Sequence, residues 1–292
     1  MRDRREAKPG GRVPADHGAA VVSATVAYVP RRTAVVRAVV LREWREALTN
    51  KLLIGMTFLP PLVILAAGIG AVAAAAANPP NERDIQALYA AAPAVRGLDP
   101  KEAVQGIIAQ YFLILFLMIP TIVPLTIAIY SVIGEKANRT LEPLLATPAG
   151  VGDLLIAKSI AAMVPAVLVT WLAYFIYLLA VAKVGSGPAQ NAVLSPRWLA
   201  AMTLMVPLLT LLSVNLGVLI STRVNDIRVA QQIGGLIVVP VVAIGIAQVT
   251  GRVVLDDAPI LATSVGLFVL DAALIAVARV LFQRENILVR WR

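Results

Sequence analysis

Side chains that could carry out chemistry are few in this 292-residue sequence. There is no cysteine, and the single histidine, His17, lies in a polar N-terminal tail. Thiolate catalysis, disulfides, cysteine-ligated metals and histidine-based catalysis are therefore poor expectations, and we predict neither a catalytic residue nor a metal site. Two features remain: an acid, Asp271, inside a long apolar stretch, and a charged segment at residues 134–158.

The composition indicates where these groups must lie. Apolar residues make up 59% of the chain and charged residues 15%, and the mean hydropathy is +0.81. Soluble domains contain about 45–50% apolar residues with glycine included, and about 25% charged residues. A chain this apolar cannot cover its surface in water, which excludes a soluble enzyme, a disordered chain and a disulfide scaffold. The composition is that of a membrane protein.

Six stretches are long enough to cross a bilayer, which requires about 20 mostly apolar residues in a helix. None of them alternates with a period of two, so helices are favoured over a β-barrel. We predict an all-α, polytopic membrane protein with six transmembrane helices. The predicted spans are residues 52–77, 106–133, 159–182, 198–220, 233–249 and 259–282.

The distribution of positive charge predicts the orientation. Twenty of the 26 Lys and Arg residues lie in the two terminal tails and the second and fourth loops, on one side of the predicted spans. The positive-inside rule places this side in the cytoplasm, with both termini. We therefore expect a multi-pass protein of the plasma membrane. The formal net charge of +9 is then a topology signal, and nucleic acid is not expected as a partner.

The N-terminal region divides into two parts. Residues 1–32 are polar and basic and are predicted to form a disordered cytoplasmic tail. Residues 33–50 carry apolar side chains on one helical face and charged ones on the other, as in a helix that lies in the headgroup layer. The alternative is a simple extension of the first span. Residues 33–292 are expected to form one six-span domain.

The segment 134–158 carries the most local information. Glu135, Arg139 and Glu142 are spaced to form a surface ladder of ion pairs on one helix. The pattern predicts that this helix ends near Thr140 and that a short second helix follows at residues 143–147. An apolar stripe on the same period would need a partner to cover it; it consists of Ala137, Leu141, Leu144 and Leu145.

Asp271 lies near the middle of the sixth predicted span. A carboxylate there costs about 2.5–3.5 kcal/mol on insertion scales, so it should face protein or water. One interpretation places Asp271 and Asn215 on a translocation path for a proton, cation or other cargo. The other is an interhelical hydrogen bond, with Asn215 as the partner. The residues alone leave both open.

The run GEKANRTLEPLLATP, followed by DLLIAK, resembles the signature of the permeases of type-2 ATP-binding-cassette (ABC) exporters. The segment STRVNDIRVAQQ at the start of the fifth span and the ending FQRENILVRWR are also similar to that family. The resemblance covers residues 33–292. One departure is the first outer loop, 78–105, where many relatives insert a large domain, so the substrates of those relatives are not transferred.

The resemblance implies that loop 134–158 docks on a separate ATPase and that two permease protomers form the pathway, as a homodimer or heterodimer. It implies that ATP and Mg are bound by that ATPase, in agreement with the lack of a Gly-x-x-x-x-Gly-Lys-Ser/Thr run here. Without the resemblance, the favoured interpretation of the loop is a solvated helical hairpin that only connects two spans. The implied coupling residues are Glu135, Lys136, Thr140, Leu141, Glu142, Leu144 and Leu145.

The predicted function is that of a non-enzymatic permease subunit of an ATP-driven exporter for an apolar or amphipathic cargo. Two alternatives remain open. One is a proton-coupled secondary transporter that uses Asp271, and the other is a membrane assembly or sensor protein that transports nothing.

Overall fold

The computed structural model describes residues 32–78, 80–91, 96–138, 151–249 and 257–281. These residues form eleven helices and no strand, which confirms the predicted all-α fold. The helices are α1 (Arg32–Thr49), α2 (Lys51–Ala77), α3 (Glu82–Ala91), α4 (Pro100–Phe116), α5 (Ile119–Ala137), α6 (Val151–Val184), α7 (Gly187–Val193), α8 (Pro196–Arg223), α9 (Ile227–Gly235), α10 (Val238–Val249) and α11 (Asp257–Leu281).

Six helical stretches of the described chain are long and apolar enough to cross a membrane, which confirms the number of predicted spans. The stretches are Lys51–Ala77, Pro100–Ala137, Gly152–Val184, Gly187–Arg223, Ile227–Ile244 and Pro259–Ala278.

The second and fifth spans differ from the prediction because each consists of two helices. The second is broken between α4 and α5 just before Pro120, and the fifth between α9 and α10 just before Pro240. Proline has no backbone N–H and its ring crowds the preceding turn, so it is tolerated best in the first turn of a new helix. Both prolines occupy that position.

The core lies between α4, α5, α6 and α8, and α5 is its most enclosed helix. The span that contains α5 is 78% buried, whereas the spans of α2 and α11 are 22% and 17% buried. The helix α5 packs along α8, which also packs against α11. The outer helices therefore present apolar faces to the bilayer or to another chain.

The helix α1 packs across the start of α6. Val40 is buried against Ala157 and Ala161, and the indole N–H of Trp44 donates to the carbonyl of Ala161 at 3.0 Å. Asn50 is extended and its side chain caps the first turn of α2, so α1 is a separate helix rather than an extension of the first span. The apolar face predicted for this helix is thus covered at least partly by protein.

Candidate coupling site and buried polar pair

The ammonium of Lys158 joins three helices at one end of the bundle. Its Nζ lies 2.7 Å from Glu43 Oε1 in α1 and 2.9 Å from Glu135 Oε2 near the end of α5. It also donates to the hydroxyl of Ser131 at 2.6 Å. The side chains of Lys158 and Glu135 are each 8% exposed, and that of Glu43 is 12% exposed. We call Glu43, Ser131, Glu135 and Lys158 the base cluster.

In the base cluster, three acceptor side chains surround one cation, the ammonium of Lys158. An ammonium has three N–H donors, and the base cluster supplies three acceptor side chains. Two carboxylates share this one positive charge, so removal of Lys158 would leave both acids buried without it. Breaking a buried pair in this way is strongly destabilising, whereas the intact pair contributes little by itself. The base cluster therefore disfavours any arrangement of α1, α5 and α6 that separates Lys158 from its two acids.

Lys136, the next residue after Glu135, contacts the end of α8 rather than α6. Its ammonium donates to the carbonyls of Ser221 and Thr222 and to Asn225 Oδ1, the last two at 3.2 and 3.3 Å. These carbonyls belong to the last turn of α8, where backbone acceptors lack helical partners and the helix dipole favours a cation. Glu135 and Lys136 thus tie the end of α5 to α6 on one side and to α8 on the other.

A second, weaker contact connects the start of α1 to the start of α6. Arg32 forms an ion pair with Asp153 at 2.8 Å, and the hydrogen bond to this carboxylate raises the pKa of the guanidinium. The Arg32 side chain is 81% exposed, so water screens the pair and its contribution to stability is small. This pair therefore adds little to the attachment of α1, which depends on the base cluster and on the packing of Val40 and Trp44 against α6.

The predicted surface ladder is wrong for Glu135, which is buried and ion-paired with Lys158. Glu135 is buried among three helices, and its partner, Lys158, is distant in the sequence. Spacing along one helix cannot indicate such a partner. Of the predicted coupling residues, the structure describes Glu135 and Lys136. The others lie outside the described residues, as does the predicted helix at 143–147; they are Thr140, Leu141, Glu142, Leu144 and Leu145.

The structure brings Asn215 and Asp271 together in the membrane-spanning part of the bundle. Asn215 Nδ2 donates to Asp271 Oδ1 at 3.3 Å, and Asp271 is 1% exposed. Within the described part of the chain, Asp271 Oδ2 has no hydrogen-bond partner. The pair links α8 to α11, as the packing interpretation expects, and it leaves one polar atom that a proton or cargo group could use.

Three members of the base cluster were missed by the sequence analysis: Glu43, Ser131 and Lys158. A signal for Lys158 was present, because a lysine two turns inside a helix that continues as an apolar span requires a partner. No equivalent signal identifies Glu43, which lies among other charged residues of α1.

Six helical stretches of membrane-spanning length and a polar base cluster at one end of the bundle define a polytopic membrane protein. A family model of the ABC-2 family transporter proteins matches residues 37–285, so the chain belongs to this family. The chain therefore has the role of an ABC transporter permease, a membrane subunit that implies an ABC ATPase as partner. No curated protein matches the chain.

Proposed function

We propose that the chain is the permease subunit of an ATP-driven exporter for an amphipathic or apolar cargo. A separate ATPase would bind ATP and Mg and would dock on loop 134–158. The coupling residues would be Glu135 and Lys136 at the start of the loop, with Thr140, Leu141, Glu142, Leu144 and Leu145 in its docking part. A second permease protomer would complete the pathway.

The observation that carries this proposal is the ion pair between Glu135 and Lys158. These residues stand at the two ends of the loop, and their side chains lie 2.9 Å apart in a buried site. A loop that served only as a connection would need no such closure. A closed base allows a force applied to the loop to move α5 and α6 as one unit.

The remaining contacts extend this unit to the neighbouring helices. Glu43 joins α1 to it through Lys158, and Lys136 joins the end of α8. Binding of ATP by the partner would shift the loop and, with it, these helices. A switch of this kind requires the ATPase to bind the two permease conformations with different affinity. The base cluster would convert this difference in affinity into movement of the helices.

The proposed docking is tested by purification of the full chain in mild detergent and identification of the proteins that co-elute. We expect an ABC ATPase with the native chain and its loss with Leu144→Asp plus Leu145→Asp. The matched control is Leu98→Asp plus Leu194→Asp, two exposed leucines at the other end of the bundle. Retention of the ATPase by the loop variant would refute the docking role of the loop.

The proposed sidedness can be tested because the native chain contains no cysteine. A single cysteine introduced as Ala149→Cys should react only with reagents that reach the cytoplasm, and Gly187→Cys only from outside the cell. The reverse pattern would place the loop where no cytoplasmic ATPase can reach it. This outcome would refute the whole proposal, including the plasma-membrane orientation with both termini inside.

A proton-coupled transporter is the second candidate, and the buried pair supports it. Asp271 Oδ2 is enclosed without a hydrogen-bond partner among the described residues, a position in which a carboxyl could exchange a proton. In the exporter proposal, Asp271 and Asn215 instead lie on the translocation path. The two candidates differ in the energy source that transport by an Asp271 variant follows.

A further inference from the structure

A cavity of about 520 Å³ lies between α1, α2, α5, α6 and α9, beside the base cluster. Its volume is within the range of about 300–1,000 Å³ that small-molecule sites occupy. The cavity is open on one side, and of the two coupling residues that the structure describes, Glu135 lines it and Lys136 does not. The ion pairs and hydrogen bonds of the base cluster do not require an open cavity at this position.

The cavity has a polar end and an apolar end. Glu43, Glu46, Tyr130 and Ser131 line the first, at the level of the base cluster. The second is formed by α2 and α6, and its walls extend from Asn50 to Phe58 and from Ala161 to Leu168. At 1.5 Å per residue, these walls are about 10–12 Å long. Polar and apolar surfaces in this order suit an amphipath whose chain points along the helices.

The charge of the polar end favours a positive head group. Among the described lining residues there are three carboxylates, Glu43, Glu46 and Glu135, and one cation, Arg42. Arg42 forms an ion pair with Glu46 at 2.7 Å, and Glu43 and Glu135 share the single ammonium of Lys158, which lies behind the wall. The site therefore retains one formal negative charge, at Glu43 and Glu135. This excess of acid occurs on the side of the chain where basic residues are otherwise concentrated.

The helix ends beside the cavity also favour a positively charged ligand. Asn138, at the C-terminal end of α5, lines the cavity, and the dipole there attracts cations. The N-terminal end of α2 would attract anions, but the Asn50 side chain already accepts hydrogen bonds from two of its amides. The ring of Tyr130 offers a further surface for an ammonium group.

We propose that this cavity binds an amphipath with a cationic head group and a single apolar chain, and that such molecules are the cargo class. The second half of this statement rests on the proposed exporter function, whereas binding itself does not. The head group would lie near Glu43, Glu46 and Tyr130, with the chain between Leu53 and Val164.

The test uses the purified permease in lipid nanodiscs, without ATPase or nucleotide. The probe is a dodecyltrimethylammonium analogue with a photoreactive diazirine in its chain. We expect labelling of residues 50–58 and 161–168, and displacement by unlabelled dodecyltrimethylammonium but not by dodecyl sulfate or dodecyl maltoside. Equal displacement by all three compounds, or labelling spread over the lipid-facing helices, would overturn the proposal.

Two pairs of variants locate the site. Leu53→Trp fills the cavity and should abolish displaceable labelling, whereas Leu52→Trp, at an exposed position that does not line it, should not. Glu46→Gln removes one acid and leaves Arg42 without its partner, so it should weaken binding about two- to fivefold, whereas Glu82→Gln in α3 should not. Unchanged labelling in Leu53→Trp, with its melting temperature retained, would also overturn the proposal.

The results separate this inference from the proposed function. A permease that retains and stimulates an ATPase but shows no displaceable labelling would refute the cavity alone. If the chain is labelled as expected but never co-purifies with an ATPase, the result would support binding in the cavity and refute the proposed exporter function.

Discussion

Glu135 of α5 and Lys158 of α6 form an ion pair with their charged atoms 2.9 Å apart, across the connection between the two helices. Both side chains are 8% exposed, so the pair is part of the protein interior and not a surface contact. Lys158 also binds Glu43 of α1. The contact therefore closes the loop and attaches α1 to it.

The first prediction concerns Lys158→Met. The substitution leaves Glu43 and Glu135 buried without their cation, and loss of one partner of a buried pair costs about 3–5 kcal/mol. We expect a fall of this size in the free energy of unfolding, measured by denaturant titration in mixed micelles. We also expect the partner ATPase, where it still binds, to lose its stimulation by cargo.

Two further variants make this prediction specific. Lys183→Met, at an exposed position in the same helix, should leave the free energy of unfolding unchanged. Adding Glu43→Gln and Glu135→Gln to Lys158→Met should restore much of the stability, because no uncompensated charge remains. If Lys158→Met is as stable as the native chain, the base cluster does not hold these helices together.

The second prediction concerns Lys136→Met, which removes the cation from the last turn of α8. Hydrogen bonds from a charged group contribute about 1.5–3 kcal/mol. We expect faster amide hydrogen exchange in residues 219–223, with little change in α6. Lys51→Met, an exposed lysine at the start of α2, is the control and should leave exchange in α8 unchanged. Equal exchange in the two variants would contradict the role of Lys136.

The sequence could predict features that depend on neighbouring residues. Apolar length located the six spans, and helical periodicity found the apolar face of α1 that contains Val40 and Trp44. Burial cost indicated that Asp271 needs a partner, and Asn215 is that partner. In each of these cases, the physical rule acts within one helix or on one side chain.

The base cluster could not be predicted in this way. Glu135 was expected at the surface because its spacing to Arg139 allows an ion pair, but tertiary packing buries it against Lys158. Which of several acids meets a given lysine depends on how α1, α5 and α6 are arranged. Periodicity likewise identifies an apolar face without showing that Ala157 and Ala161 cover it.

The third prediction distinguishes the two energy sources. Asp271→Asn keeps the shape of the side chain and an oxygen that can accept from Asn215, so we expect the protein to fold and to retain its ATPase. Transport in inverted vesicles should fall and should still require ATP. A protonophore should have no effect on the residual transport.

A proton-coupled transporter would give a different result. Native transport that follows an imposed pH gradient, proceeds without ATP and disappears in Asp271→Asn would identify a proton-coupled transporter. Asn215→Leu provides a control for packing, because it removes the hydrogen bond while keeping Asp271. The same loss of stability in both variants would assign the pair a structural role.

The fourth prediction compares two glycines of α2. A Cβ atom at Gly68 would lie 2.9 Å from ring atoms of both Phe112 and Tyr177, whereas a Cβ atom at Gly70 meets nothing within 4 Å. Tyr177 cannot move away easily, since it is fully buried and its hydroxyl donates to the carbonyl of Ala109. Overpacking of such a site costs about 1–3 kcal/mol.

Gly68→Ala should therefore lower the melting temperature of the purified protein, while Gly70→Ala should leave it unchanged or raise it slightly. Both variants add one methyl group to the same helix, so a difference between them reports the contact of α2 with α4 and α6 and not helix propensity. A cavity-lining helix that is loosely packed here would tolerate both changes equally. Equal melting temperatures would show that α2 does not pack closely against Phe112 and Tyr177 in the membrane.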